Sequence, residues 1–201
     1  MATKDKVRAV ASVVFAERGY EATSLDALAA ELGLTKQTIL YHFGSKAGVL
    51  EAVLAAASEE LVGALDRAVA GVEDPWDRVE AVVRTVFALA IRRPELLGLL
   101  REVSRIGPPA STSVIAALQP TVDRALEDLG RHMATGAFRR SDPRLVLASA
   151  YAAVVGVVTD AEALRALGLP LDLRQAASLR RTVLRFLRAS LEVSSPPDPP
   201  R

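Results

Sequence analysis

Cysteine is absent from this 201-residue sequence, and histidine occurs only at His42 and His132. Disulfides and thiolate nucleophiles are therefore excluded, and too few soft ligands remain for a zinc site; neither a metal nor a cofactor is expected. Aromatic residues make up 4%, so a core must be built from Leu, Val and Ala packed between helices. The most apolar uncharged stretch, Leu145 to Thr159, is too short to cross a bilayer as a helix. The start, MATKDKVRAV, is charged and unlike a signal peptide. No membrane partner and a cytoplasmic setting are expected. An excess of one charge is missing too: 25 Lys and Arg against 24 Asp and Glu leave a net +1. A nonspecific nucleic-acid binder would carry a far more basic surface. No HExxH, no Gly-rich phosphate loop and no Ser–His–acid set can be assembled, so the chain does not read as an enzyme.

What is present is helical punctuation. Residues 23–50, TSLDALAAELGLTKQTILYHFGSKAGVL, read as two short helices joined by a Gly turn and followed by the start of a third. That layout is a helix-turn-helix, which places one helix in a DNA groove. Thr23 or Ser24 caps the first helix, with Asp26 as a capping-box partner of Thr23. Leu25, Leu28, Ala29 and Leu32 form one apolar face. Gly33 takes the left-handed position past the helix end, and Leu34 fills the corner. Thr35 caps a second helix running to Phe43, Gly44 ends it, and Ser45 caps the next.

Lys36 and Lys46 each fall in the first turn of a helix, where the dipole disfavours a cation by ~0.3–1 kcal/mol. Two cations so placed suggest an external anion, and exposed helix N-termini bind phosphate in their own right. Solvated surface lysines are the alternative. Through Ala47 there are six basic residues (Lys4, Lys6, Arg8, Arg18, Lys36, Lys46) against five acidic ones, so DNA binding rests on the motif rather than on charge.

The segment from Gly19 to Ala52 resembles the DNA-binding part of the TetR family of transcriptional regulators. The resemblance is carried by Gly19-Tyr20, Thr23-Ser24, the Ala29 to Leu34 turn, Thr35-Lys36, Thr38, and above all Tyr41-His42-Phe43 before Ser45-Lys46. Two positions depart from the family pattern: Gln37 stands where a small residue is common, and Leu40 where an aromatic is frequent. In this reading Gln37 is the base reader, since Gln can bond adenine N6 and N7 together, and Thr38 adds a thymine methyl contact. Thr23, Ser24, Thr35, Lys36, Tyr41, His42 and Lys46 hold phosphates and fix register. Tyr41 as plain helix packing and His42 as a surface cap are the alternatives.

The remainder predicts an all-α chain of about nine helices. A first helix from Lys4 to Arg18 braces the motif through Val7, Val10, Ala11, Val14 and Phe15, with Phe43 joining that core. A long helix runs from Lys46 to about Ala70. Asp74-Pro75 opens another with Trp76, Val79, Val83, Val86, Phe87 and Ala90 as its stripe, and Pro94 opens a third ending at Ile106. After the Gly107-Pro108-Pro109 break a helix spans Thr112 to Met133, with Pro120 predicting a kink near Ala116. The Leu145 to Val158 helix is apolar almost all round, which requires burial on all sides. It is expected to pack inward on one face and against a second protomer on the other, together with a last helix from Leu173 to Val193 carrying Leu179, Val183, Phe186 and Leu187. The alternative is that both close the monomer core.

The expected organisation is a helix-turn-helix DNA-binding domain at 1–47, an effector-binding and dimerisation domain at 48–193, and a disordered Pro-rich tail at 194–201. The partners are double-stranded DNA and a second copy of the chain, since one reading helix contacts too few base pairs to select a site. The resemblance further implies an effector cavity for a small apolar or mildly aromatic molecule. Its candidate lining is Trp76, Phe87, Leu100, Val103, Leu118, Val122 and Tyr151, with Glu102 and Arg105 as polar anchors. Effector binding would act through the helix starting at Lys46 as a lever. A repressor released by its effector is the leading reading; a regulator switched by a protein partner, with no pocket, is the second. Activation in place of repression stays open.

Overall fold

The computed structural model describes residues 2–169 and 173–193, and among these every regular element is an α-helix. In order they are α1 (Thr3–Arg18), α2 (Leu25–Leu32), α3 (Lys36–Phe43), α4 (Lys46–Val69), α5 (Pro75–Arg92), α6 (Pro94–Ile106), α7 (Ala110–Ala134), α8 (Pro143–Thr159), α9 (Ala161–Ala166) and α10 (Leu173–Leu191). The one element not anticipated is α9. Its chain-end signal is Gly168 at φ 70°, with the Leu169 amide closing back on the Leu164 carbonyl at 2.8 Å. The 194–201 tail, expected to be disordered, lies outside the described residues.

Packing divides the chain into two compact units. The first joins Met1–Leu65 with Leu89–Gln119, the second Asp66–Ala88 with Pro120–Arg201. The last division falls inside α7 at Pro120, the residue that lacks a helical donor.

In the first unit the core is Val7, Ala11, Val14 and Phe15 of α1, Leu28 and Ala29 of α2, Ile39 of α3, Val49, Leu50, Val53 and Leu54 of α4, and Leu99 and Val103 of α6. Phe43 and Leu34 pack against it as expected. The addition is α6, which lies along α1 and whose Gly98 faces Ala16. Arg93, ahead of α6, bonds both Glu60 and Glu95.

In the second unit Met133, Phe138 and Leu191 form a small apolar cluster with Trp76, Val79, Leu129 and Val146 against it. Arg188 stacks over Trp76 at 4.7 Å from the ring centroid. Arg78 donates to the carbonyls of Val69 and Val72 and also pairs with Asp128. It thus joins the Val72 amide on the Val69 carbonyl at the end of α4 and takes up the Val72 carbonyl just beyond it. α8 and α10 pack together. Val154, Val158, Val183 and Leu187 are buried, while Leu145 is 66% and Phe186 58% exposed.

Candidate nucleic-acid interface

The helix-turn-helix is assembled by local chemistry. Ser24, not Thr23, caps α2, its hydroxyl accepting from the Ala27 amide at 3.0 Å. Gly33 adopts the left-handed conformation at φ 63°, ψ 31°, which a Cβ would penalise. The Leu34 amide then bonds the Ala29 carbonyl at 2.9 Å, turning the chain into α3. Thr35 caps α3, accepting from the Thr38 amide at 3.2 Å, and the two hydroxyls lie 2.9 Å apart. Ser45 caps α4 through the Gly48 amide at 3.0 Å.

Burial then sorts α3 into an inner and an outer face. Ile39 is wholly buried and Leu40 partly so. Lys36 and Gln37 are exposed, and Tyr41 is 86% exposed. Tyr41 is therefore not a packing residue of the core; its ring and that of His42 meet in a T-shaped contact, at 5.1 Å between centroids. An exposed tyrosine beside Gln37, Lys36 and a half-buried His42, on a helix with no acidic residue, forms a surface of donors suited to phosphates and base edges.

The structure reassigns several side chains. Thr23 is 4% exposed and its hydroxyl donates to the Gly19 carbonyl at 2.8 Å, so it secures the turn below the surface instead of meeting phosphate. Asp26 does not complete a capping box with Thr23; its carboxylate takes the Lys36 ammonium at 2.9 Å. Lys36 thus has an internal anion, which offsets its unfavourable place on the helix dipole. Lys46 stands 4.2 Å above the Tyr20 ring and donates to the Glu21 carbonyl at 3.3 Å. Burial, joined by the neighbouring Glu21 carboxylate, pushes the Tyr20 hydroxyl above its ordinary value, so at neutral pH the ring beneath Lys46 carries no charge of its own.

The residues named for an effector are divided between the two units. Leu100, Glu102, Val103, Arg105 and Leu118 belong to the first unit, Trp76, Phe87, Val122 and Tyr151 to the second. Val103 is part of the first unit's core and Phe87 is 3% exposed. Tyr151 is 56% and Val122 38% exposed. Glu102, expected as a polar anchor, is 8% exposed. Its carboxylate accepts from the Tyr20 backbone amide and from Arg105 at 2.7 and 2.9 Å. The Arg105 hydrogen bonds, helped by that amide against the effect of burial, hold the Glu102 carboxyl below its usual range. An open groove in the second unit is lined by Met133 to Gly136, Phe138 to Arg140 and Val193, and none of the expected effector residues borders it.

Residues 7–53 match the family profile described as bacterial regulatory proteins, tetR family. The chain is 35% identical over 77 residues to the HTH-type transcriptional activator FasR of Mycolicibacterium smegmatis, covering 38% of this chain and 35% of that protein. It is 40% identical over 48 residues to the biofilm operon icaADBC HTH-type negative transcriptional regulator IcaR of Staphylococcus aureus, covering 24% of this chain and 26% of that protein. The alignments thus span about a third and a quarter of these relatives. Over nearly the whole chain the fold is that of AibR, solved in complex with isovaleryl coenzyme A and operator DNA: TM-score 0.78, 19% identity, 91% of this chain and 96% of that one.

Proposed function

We propose that this chain, which belongs to the TetR family through its domain at residues 7–53, is a transcriptional regulator that binds a palindromic operator as a homodimer and is released by a small-molecule effector. The observation that carries the reading is the two-faced α3: Ile39 fully buried, Tyr41 86% exposed, and Lys36 and Gln37 open between two well-capped ends. Gln37 reads a base, Thr38 adds an apolar contact, and Ser24, Thr35, Lys36, Tyr41, His42 and Lys46 engage phosphates. Residues 1–47 are the reading domain, and 48–193 supply effector binding and dimerisation.

A two-fold assembly is supported by α8 and α10. On α8 the exposed residues Leu145, Ala148, Ala152 and Gly156 recur at helical spacing, opposite the buried Val154 and Val158. A face of small residues lets a partner helix approach closely, and the neighbouring Phe186, 58% exposed on α10, supplies an apolar anchor. The paired readers would then meet half-sites about one helical turn apart.

Relatives act in both directions, FasR as an activator and IcaR as a negative regulator; repression with release fits a chain whose fold matches AibR, a structure holding both a small molecule and operator DNA. The effector is small and apolar or mildly aromatic. Selection of bound sequences from random duplex DNA tests the reading. It should return an inverted repeat, and Gln37→Ala should weaken one position of each half-site by about 1–3 kcal/mol. Recovery of no preferred duplex would overturn it.

A further inference from the structure

α1 ends at Arg18, and Gly19, at φ 86° and ψ 152°, sends the chain away from the helix axis. The Gly19 amide still reaches the Phe15 carbonyl at 3.2 Å. The next amide, that of Tyr20, is met by the Glu102 carboxylate, 82 residues further along on α6. A charged acceptor on a backbone N–H makes one of the stronger hydrogen bonds. Arg105 grips the same carboxylate with two nitrogens, so it cannot swing away freely. The fit is close: a Cβ at Gly19 would stand 3.3 Å from the Arg105 guanidinium and 3.4 Å from Glu102 Oε1.

The 19–23 turn held in this way carries the support for Lys46. The Tyr20 ring lies edge-on to buried Phe15, with centroids 5.4 Å apart, and its face is under the Lys46 ammonium. The Glu21 carbonyl takes a bond from the same ammonium. Thr23 closes the turn onto Gly19 and Tyr20 through its hydroxyl and its amide, immediately before the Ser24 cap of α2.

We propose that Glu102 is a positioning residue for DNA binding: by clamping the Tyr20 amide it fixes the 19–23 turn, and through that turn the place of the Lys46 ammonium. Glu102 is buried, so its part is to hold the turn and not to meet phosphate. The inference rests on Lys46 being a phosphate contact, as argued above.

The test is a double-mutant cycle between Glu102→Ala and Lys46→Met, read as affinity for a labelled duplex carrying the selected site. Glu102→Ala should lower affinity about tenfold with Lys46 present and less than about twofold without it. Equal losses in both backgrounds would overturn the proposal. Glu102→Gln keeps an oxygen for the Tyr20 amide and should retain most of the affinity; a loss matching that of Glu102→Ala would remove the Tyr20 bond as the route. Hydrogen exchange on the DNA-free protein provides a second reading. The 19–23 amides should exchange faster in Glu102→Ala, ahead of the rest of α1 and α2, and unchanged exchange there would also overturn it. A wild-type protein that prefers no duplex would sink the DNA-binding reading, while exchange at 19–23 would still judge the clamp.

Discussion

Gly98 of α6 faces Ala16 of α1 so closely that a Cβ built on it would stand 2.7 Å from the Ala16 Cβ and 3.2 Å from its Cα. In an isolated helix, Gly→Ala gains about 1 kcal/mol. Here the added methyl meets a side chain with no rotamer to yield, on a helix already held by Val7, Ala11 and Phe15. Overpacking of this kind costs about 1–3 kcal/mol. Gly98→Ala is expected to lower the melting temperature, and adding Ala16→Gly to restore part of it. Thermal unfolding by circular dichroism checks both, and a more stable single variant would show that α6 moves off α1 easily.

Asp26 holds the Lys36 ammonium at 2.9 Å, so under the proposed function it would compete with DNA for that side chain. The exposed pair itself contributes no more than about 1 kcal/mol to stability, so Asp26→Asn should leave the melting temperature nearly unchanged. With the carboxylate neutralised, Lys36 is free for phosphate, and a negative charge leaves the surface beside the groove. Affinity for arbitrary duplexes should rise, and the slope of log K against log salt should steepen by up to about 0.9. The ratio of specific to nonspecific affinity should fall. Titrations at several salt concentrations measure all three, and an unaltered slope would show that Lys36 stays clear of the backbone.

The lowered Glu102 carboxyl predicts a pH dependence of known sign. Its folded value lies below the unfolded one, so its stabilisation is fully present above the unfolded value of about 4.3 and is lost as pH falls through the folded value. Glu102→Gln should therefore melt below wild type at pH 7. The gap should narrow once the pH drops under about 4. A gap that stays constant down to strongly acidic pH would mean the charge of Glu102 contributes nothing.

Phe186 and Leu145 are large apolar side chains left 58% and 66% exposed on α10 and α8. If they form the seam of the proposed dimer, Phe186→Asp should leave the protein monomeric at micromolar concentration, because a charge inside an apolar contact is desolvated without a partner. Sedimentation velocity would show the shift, and duplex affinity should fall with it. A monomeric wild type would remove the assembly altogether.

The helix-turn-helix was legible because its signals are local. Ser24, Gly33, Thr35, Gly44 and Ser45 each act within three or four residues, and all five stand at the ends they mark. The outward place of Gln37 and Tyr41 was implied by the family resemblance and not by period, which left helix packing open for Tyr41. Contacts across the fold were not legible. Asp26 and Lys36 are ten residues apart and meet only because the Gly33 turn brings two helix starts together. Glu102 and Tyr20 are joined by tertiary packing that no spacing encodes. A set of effector residues has no local signal of its own, since in an all-helical chain the Leu, Val and Phe that build a core look the same in sequence as those that would line a cavity. α9 went unread because six residues are too few to show a helical period.

Leu99 and Val103 close the core formed by α1 to α4, yet they follow it by some fifty residues of chain. On the ribosome, α1 to α4 therefore wait with their apolar floor uncovered until α6 has been made and has cleared the exit tunnel. A fragment cut after Leu65 would leave that floor permanently open and should be captured by chaperones or aggregate.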